Sequence, residues 1–271
     1  MPPLGLDNRS RRRPLRRPLI AIALLSVVAT SLQAQPAQPA FDHRDFDSLL
    51  NIHVRAGLVH YDAFANAPAF RRYLDRLDAF DPSALSRTEQ LAFWINAYNA
   101  YTIALIVAHD ERVSIRNINR TLGLSLKGPW RERLVRVGGK RYSLDDVEHR
   151  IIRPIFREPR VHFALVCAAL GCPPLRSEAY RGDLLDAQLD DQARHFLLMT
   201  PMSNRVDASA RRVVLSPIFD WFKEDFGGSP DAIGHFVARY FPPGSERSLL
   251  ESGRFVLTFS EYDWRLNAQR K

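Results

Sequence analysis

The chain has 271 residues, of which 46% are hydrophobic, and a formal net charge of +8. This length and composition are typical of one or two globular domains. The charge does not indicate a nucleic-acid-binding protein, because six arginines and one aspartate among residues 1–34 contribute +5 of it, and no basic stripe interleaved with aromatic residues follows.

The N-terminal segment is predicted to be a signal peptide. RSRRRPLRR at 9–17 is a positively charged block, LIAIALLSVVA at 19–29 is an apolar run, and a short polar stretch with small residues follows. We expect cleavage after Ala34. The apolar run is shorter than the roughly 20 residues that a membrane span needs, so membrane attachment is expected only if the signal is not cleaved.

The signal peptide sets the predicted location and the predicted domain boundaries. SRRRPLR approximates a twin-arginine export signal, but Pro14 stands where an aromatic residue is usual, which favours the general secretory route. We therefore predict a periplasmic or secreted protein. Because no linker, internal repeat or low-complexity segment follows, residues 35–44 are predicted to be a short leader and 45–271 a single domain.

The first half of the mature chain is predicted to be helical. Apolar residues recur at helical spacing in 45–54 and in 68–80. Ser86 and Glu89 form a capping-box pattern that opens a long helix over 87–109. Because this helix is apolar almost all round, we expect it to lie in the centre of the fold.

Shorter elements follow. Hairpins are predicted at 133–144, around Gly138 and Gly139, and at 204–215, with a last strand at 254–259. VHFALVCA at 161–168 has the composition of a buried strand. Helices are predicted at 144–152 (capped by Ser143 and stopped by Pro154), at 182–199, at 218–226 up to Gly227-Gly228, and from Ser229-Pro230 onward. Without regular βαβ alternation, this pattern predicts a helix-rich α+β fold with a small, mainly antiparallel sheet around the buried central helix.

The long helix carries a narrow polar stripe. Glu89, Asn96 and Asn99 fall within about a quarter-turn of one another. Buried amides must be hydrogen-bonded, so the first interpretation is that the two asparagines tie neighbouring loops to the helix. The alternative is that one of them orients a catalytic group or donates to an oxyanion.

Two histidines and two cysteines are further candidates. His149 lies away from the apolar face of its predicted helix, with Glu148 beside it, and is typical of a solvated histidine. In the predicted strand, alternation sends His162 and Cys167 to opposite faces, which disfavours a direct pair between them. Cys172 lies in the following Gly-Cys-Pro-Pro turn.

The cysteines have three interpretations. Two cysteines five residues apart in an exported protein are typical of a disulfide, or of inert thiols, and we place this interpretation first. A nucleophilic Cys172 thiol comes second. A metal site comes third, because this spacing with scattered histidines is a weak metal signal, and we predict no metal and no cofactor.

Several motifs together resemble one known family. FWINAYNAYTI (93–103), SLDDVEHRIIRP (143–154), RVHFALVCAALGCPPLR (160–176), LSPIFDWFKEDF (215–226) and YDWRLN (262–267) occur in the order found in the domain of unknown function numbered 547, which includes exported bacterial proteins. The resemblance spans roughly residues 45–271 and implies no established activity. It places at the family's motif positions Asn96, Asn99, Glu148, His149, His162, Cys172, Pro173 and Asp225.

A motif rich in Asn, His and Cys is similar to those of papain-like or transglutaminase-like thiol enzymes, by analogy only. One departure is that those enzymes usually begin a helix with their cysteine, whereas Cys172 is predicted to follow a strand.

Two hypotheses about function result. In the first, the protein is a thiol-dependent hydrolase or acyl transferase acting on peptide or amide bonds. Its catalytic residues would be Cys172 as nucleophile, His149 or His162 as base, Glu148 as orienting acid, and Asn96 or Asn99 as polarising amide.

In the second hypothesis, the protein is a non-catalytic periplasmic binding or scaffold domain with a Cys167–Cys172 disulfide. The predicted partners are an unknown peptide or small-molecule substrate and a protein of the cell envelope, with no nucleic acid.

Overall fold

Helices dominate the computed structural model, which describes residues 40–121, 124–125 and 128–269. The predicted signal peptide and residues 35–39 of the predicted leader lie outside these residues. The α-helices are α1 Arg44–His53, α2 Tyr61–Ala65, α3 Pro68–Ala79, α4 Arg87–Ala108, α5 Leu144–Asp146, α6 Val161–Ala164, α7 Leu185–Met199, α8 Ile218–Trp221, α9 Pro230–Ala238 and α10 Ser245–Ser252. Short 3₁₀ helices occur at Pro82–Ala84, Ile115–Asn117, Pro129–Arg131 and Lys223–Phe226.

The strands are short and form small separate sheets. They are β1 Val54–Arg55, β2 Leu58–Val59, β3 Arg120–Thr121, β4 Leu124–Ser125, β5 Val135–Val137, β6 Lys140–Tyr142, β7 Arg205–Asp207, β8 Arg212–Leu215 and β9 Val256–Phe259. The pairs β1–β2, β3–β4, β5–β6 and β7–β8 are antiparallel, and β9 adds to β8 in parallel. The helix-rich α+β architecture predicted from the sequence is thereby confirmed, although the strands do not join into one sheet.

Helix α4 is the centre of the fold, as its apolar sequence predicts. Its residues from Leu91 to Ile103 are all buried. It is long and apolar enough to cross a membrane, but 83% of its most apolar window is buried inside the protein, as in a core helix. Only half of the predicted capping box forms: the Ser86 hydroxyl accepts from the Glu89 N–H at 3.3 Å, whereas the Glu89 carboxylate accepts from the backbone of Gly182.

The helix that begins at Ser143 does not stop at Pro154. After α5 the chain continues as a π-helix over Val147–Phe156, which contains the proline. In an α-helix, a proline lacks the N–H that donates to the carbonyl four residues earlier, and its ring clashes with that carbonyl. In a π-helix the hydrogen bonds join residues five positions apart, so the bond to the fourth residue is not required. The change of period also shifts the buried face, so that Ile152 rather than Ile151 lies in the core.

The predicted strand over 161–168 is wrong. Residues Val161–Ala164 form the short helix α6, and extended backbone begins at Leu165. Every residue from 161 to 166 is buried, and a short apolar run buried on all sides has no period that separates strand from helix. The N–H groups of residues 161–163 and of Leu165 donate to carbonyls within the preceding four residues, and the side chain of Asn99 satisfies the Ala164 carbonyl and the Val166 N–H.

The segment 161–166 lies between two apolar clusters. One cluster surrounds α4 and includes Val161, Leu165 and Val166. The other is built from α7, β8, α8 and α9, and it receives Phe163. Tyr262 packs against both clusters. The described residues from 40 onward group into one compact unit, so the boundary between these clusters is an internal seam, and the candidate site lies on it.

Candidate functional site

A cavity of about 200 Å³ opens where the two apolar clusters meet. Side chains from α4, the π-helix, the 161–172 segment, α8 and the C-terminal segment line it. They are Tyr98, Trp130, Asp145, Glu148, His149, His162, Leu165, Cys167, Cys172, Ile218, Trp221, Phe222, Tyr262 and Trp264. We call this space the aromatic pocket. It contains four of the six predicted site residues: Glu148, His149, His162 and Cys172.

Glu148 supplies a carboxyl group with unusual protonation. The Tyr98 hydroxyl donates to its Oε2 at 3.4 Å. Burial raises the pKa of Glu148 to about 7, partly opposed by the positive charge of Arg153. The carboxyl group is therefore partly protonated near neutral pH and is suited to giving or taking a proton there.

His162 is held by Asp225. Its Nε2 donates to Asp225 Oδ2 at 2.7 Å, and its ring stacks on Phe222 with the centroids 4.0 Å apart. Burial lowers the pKa of His162 in spite of the neighbouring carboxylate. The hydrogen bond from His162, together with that from Arg153, lowers the pKa of Asp225. At neutral pH, a neutral imidazole therefore donates to an ionised aspartate.

Arg153 links this pair to the second histidine. Its Nε and Nη2 donate to the two oxygens of Asp225 at 2.6 and 3.1 Å. Its Nη1 donates to Nδ1 of His149 at 2.8 Å, which fixes that nitrogen as an acceptor. Burial and the charge of Arg153 lower the pKa of His149. His149 also borders a second, larger depression of about 490 Å³, which Arg153 and Asp225 line as well.

The two cysteines form a disulfide in the wall of the aromatic pocket. Cys172 is buried and Cys167 is partly exposed. The Tyr262 hydroxyl lies 2.9 Å from Cys167 Sγ and donates to Cys172 Sγ at 3.1 Å. The structure thus contains the disulfide that was placed first among the three interpretations. A sulfur in a disulfide is not a thiolate, so Cys172 has no nucleophilic role in this state.

Because residues 161–164 are helical and not extended, the His162 side chain does not face away from Cys167 as predicted. Strand alternation predicted that His162 and Cys167 face opposite sides, whereas both line the aromatic pocket. The helical turn of α6 and the extended residues after it turn the two side chains toward the same space.

Asn96 and Asn99 do not line the pocket and act instead as clamps. Asn99 Nδ2 donates to the Ala164 carbonyl and its Oδ1 accepts from the Val166 N–H, both at 2.9 Å. Asn96 makes the same pair of bonds with Tyr180, at 2.7 and 2.9 Å. The interpretation that they tie loops to the central helix is confirmed. Asn99 holds the segment between His162 and Cys167, so it positions the pocket wall.

Most of the aromatic residues that line the pocket were not predicted from the sequence. Trp221, Tyr262 and Trp264 pack on one another with ring centroids 4.5 to 5.8 Å apart. Trp221 remains 49% exposed. Asp225 was noticed only as a motif position, without its partners His162 and Arg153. The available signal was the aromatic content of the polar stretches FDWFKEDF and YDWRLN.

Fold and site together define a helix-rich α+β domain with an aromatic pocket, a desolvated carboxyl group and a wall disulfide. Residues 82–197 match the family described as Protein of unknown function, DUF547, which the sequence motifs resemble. The pocket residues Trp221, Phe222, Tyr262 and Trp264 lie beyond the matched range. No curated protein and no solved structure matches the chain. Among the described residues, no group of three or more His, Cys, Asp or Glu side chains is arranged to hold a metal ion.

Proposed function

We propose that the aromatic pocket binds a small organic cation, an amine or a quaternary ammonium compound, and that the protein does so after export. The observation that carries the proposal is the make-up of the pocket wall: aromatic rings surround a space whose charged groups are carboxyls. This is the binding-domain alternative, with the chemistry of the ligand now specified.

The charge of the wall selects for a cation. Among the described residues that line this pocket there is no lysine or arginine, whereas Asp145 and Glu148 both line it. Asp145 pairs with Arg131 at 3.3 Å, but that arginine is 71% exposed and outside the lining. Burial lowers the pKa of both His149 and His162, so neither contributes positive charge at neutral pH. Above pH 7 the wall is therefore negative.

The aromatic rings supply the second attraction. A cation over the face of a tryptophan or tyrosine is stabilised by the ring quadrupole, by about 0.5 to 2 kcal/mol depending on its desolvation. Trp264 already receives a cation on one side, because the Arg116 guanidinium lies 5.1 Å from its ring centroid. A volume of about 200 Å³ suits a ligand of roughly ten non-hydrogen atoms or fewer, since a water molecule takes about 30 Å³.

The test is calorimetry, or tryptophan fluorescence, with three probes of similar shape and different charge: choline, its neutral analogue 3,3-dimethylbutan-1-ol, and the anion pivalate. We expect choline to bind most tightly, with an affinity that rises from pH 6 to pH 8 as Glu148 ionises. Glu148→Gln is expected to weaken choline binding at pH 8 by about tenfold, or 1.4 kcal/mol. The matched control, Glu246→Gln, removes an exposed carboxylate on α10 and leaves the affinity unchanged. Equal affinity for choline and the neutral alcohol would refute the proposal.

The thiol-dependent hydrolase or acyl transferase is the less favoured hypothesis. It needs Cys172 as a thiolate, and the disulfide removes that group in the oxidised protein. Export itself is supported by the N-terminal sequence pattern. It also agrees with the disulfide, since such bonds persist in oxidising compartments.

A further inference from the structure

The Cys167–Cys172 disulfide lies where the apolar cluster around α4 borders a cavity: Cys172 belongs to that cluster, Cys167 packs against it, and both line the aromatic pocket. We propose that it is a redox-active pair, which exchanges with a small thiol entering the aromatic pocket, Cys167 being the sulfur attacked and Cys172 the leaving group. This activity goes beyond cation binding and does not depend on it.

The exposure of the two sulfurs determines which one is attacked. Both cysteines border the cavity, but Cys172 is only 6% exposed, whereas Cys167 is partly exposed. Thiol–disulfide exchange requires access of the attacking thiolate to one sulfur. Cys167 is therefore the more accessible cysteine for a molecule in the pocket.

A backbone hydrogen bond singles out Cys172 as the leaving group, because its Sγ accepts from the N–H of Cys167 at 2.9 Å. The Tyr262 hydroxyl lies against both sulfurs, 2.9 Å from Cys167 Sγ and 3.1 Å from Cys172 Sγ, and it donates to the thiolate that cleavage releases. Donors aimed at a sulfur stabilise the negative charge that develops there when the S–S bond breaks, and a better-stabilised leaving thiolate departs faster. Burial raises the pKa of Tyr262, so its hydroxyl stays protonated and available as a donor.

The loop between the cysteines is held by the C-terminal segment as well as by the disulfide. Leu170 N–H donates to the Arg265 carbonyl and Gly171 N–H to the Asp263 carbonyl, both at 2.8 Å. The Ala168 carbonyl accepts from Asn267 N–H at 3.2 Å. These bonds remain when the S–S bond is cleaved, so we expect the reduced protein to keep the pocket and to be reoxidised.

The reaction balances as two exchanges. A substrate thiolate attacks Cys167 Sγ, forming a mixed disulfide, and the electron pair of the broken S–S bond goes to Cys172 Sγ. A second substrate thiolate then attacks the substrate sulfur of the mixed disulfide and releases Cys167. Two electrons and two protons pass from the two thiols to the protein, which becomes a dithiol. Glu148 lines the same pocket; it accepts the proton of each entering thiol and returns it to the released thiolate, Cys172 in the first exchange and Cys167 in the second. A second small disulfide reverses the reaction and reoxidises the pair.

The experiment follows the disulfide of the full-length folded protein in 2-mercaptoethanol. Samples are quenched with acid and mapped by mass spectrometry, and near-UV circular dichroism reports the fold. We expect reduction at least about tenfold faster than that of oxidised glutathione under the same conditions, with the fold retained and the mixed disulfide on Cys167. Tyr262→Phe is expected to slow exchange about tenfold. Tyr142→Phe, which removes a hydroxyl outside the pocket, is expected to leave the rate unchanged.

Three results would overturn the proposal: reduction no faster than that of oxidised glutathione, reduction only together with loss of the near-UV signal, or a mixed disulfide on Cys172. The wild-type measurement alone decides this if Tyr262→Phe does not fold. Cysteamine, which differs from 2-mercaptoethanol by an ammonium group in place of a hydroxyl, separates the two proposals. The ratio of the two reduction rates, corrected for the fraction of each thiol that is ionised, tests whether the pocket selects a cation. The rate with 2-mercaptoethanol alone tests whether the disulfide exchanges.

Discussion

Replacing Asn99 by alanine tests whether this residue holds the pocket wall. The substitution removes two buried hydrogen bonds and leaves the Ala164 carbonyl and the Val166 N–H without these partners. An unsatisfied buried polar group costs about 1 to 3 kcal/mol. We therefore expect Asn99→Ala to lower the free energy of unfolding by about 4 kcal/mol, measured by urea denaturation.

Asn96→Ala is the matched comparison, because Asn96 makes the same two bonds with Tyr180 and lies outside the pocket. Its stability loss is expected to be similar. Choline affinity and the rate of disulfide exchange, measured where both variants are folded, are expected to fall in Asn99→Ala alone. A loss below about 1 kcal/mol in Asn99→Ala would mean that the backbone of 164–166 finds other partners, and would refute the clamp.

Three further predictions concern the central helix, Glu148 and the N-terminal segment. Trp94 is 7% exposed and packs edge-on against Phe93, so Trp94→Ala is expected to cost about 3 to 5 kcal/mol in urea denaturation, and a change within error would mean that α4 is peripheral. Burial raises the pKa of Glu148 from 4.5 to about 7, so the stability gained from its protonated form is complete below pH 4.5 and is lost as the pH rises through 7. Unfolding at pH 5 and pH 8 should show a loss of about 2 to 3 kcal/mol that Glu148→Gln removes. Mass spectrometry of the exported protein should find a chain that begins near Gln35, and an intact N-terminus on membrane-associated protein would contradict cleavage.

Elements with local signals were predictable from the sequence. Ser143 and Ser229 cap the helices that follow them, each accepting a backbone N–H with its hydroxyl. Gly138 and Gly139 both adopt positive φ in the β5–β6 turn, which is why a Gly-Gly pair marks a two-residue hairpin. In each case the residue determines its neighbours' conformation through a contact within a few positions, so no tertiary information is needed.

The segment 161–167 shows where this reasoning ends. Its apolar residues agree with a buried strand and with a buried helix, and no cap or turn residue distinguishes them. Part of the support for the observed conformation comes from Asn99, whose amide satisfies the Ala164 carbonyl and the Val166 N–H from 65 and 67 residues away. The sequence predicts that Asn99 is a buried, hydrogen-bonded amide, but it does not show which segment the amide contacts.

The candidate site has some features that the sequence predicts and others that depend on distant contacts. Glu148, His149, His162 and Cys172 were found from their residue types, because carboxyl, imidazole and thiol groups carry most protein chemistry. Their surroundings depend on Pro154, which accompanies a π-helix in place of an α-helix, and on Asp225, which lies 63 residues from His162 and 72 from Arg153. Residue type and spacing therefore predict which groups are available and that Cys167 can pair with Cys172, whereas the protonation state of each group follows from contacts that only the folded chain supplies.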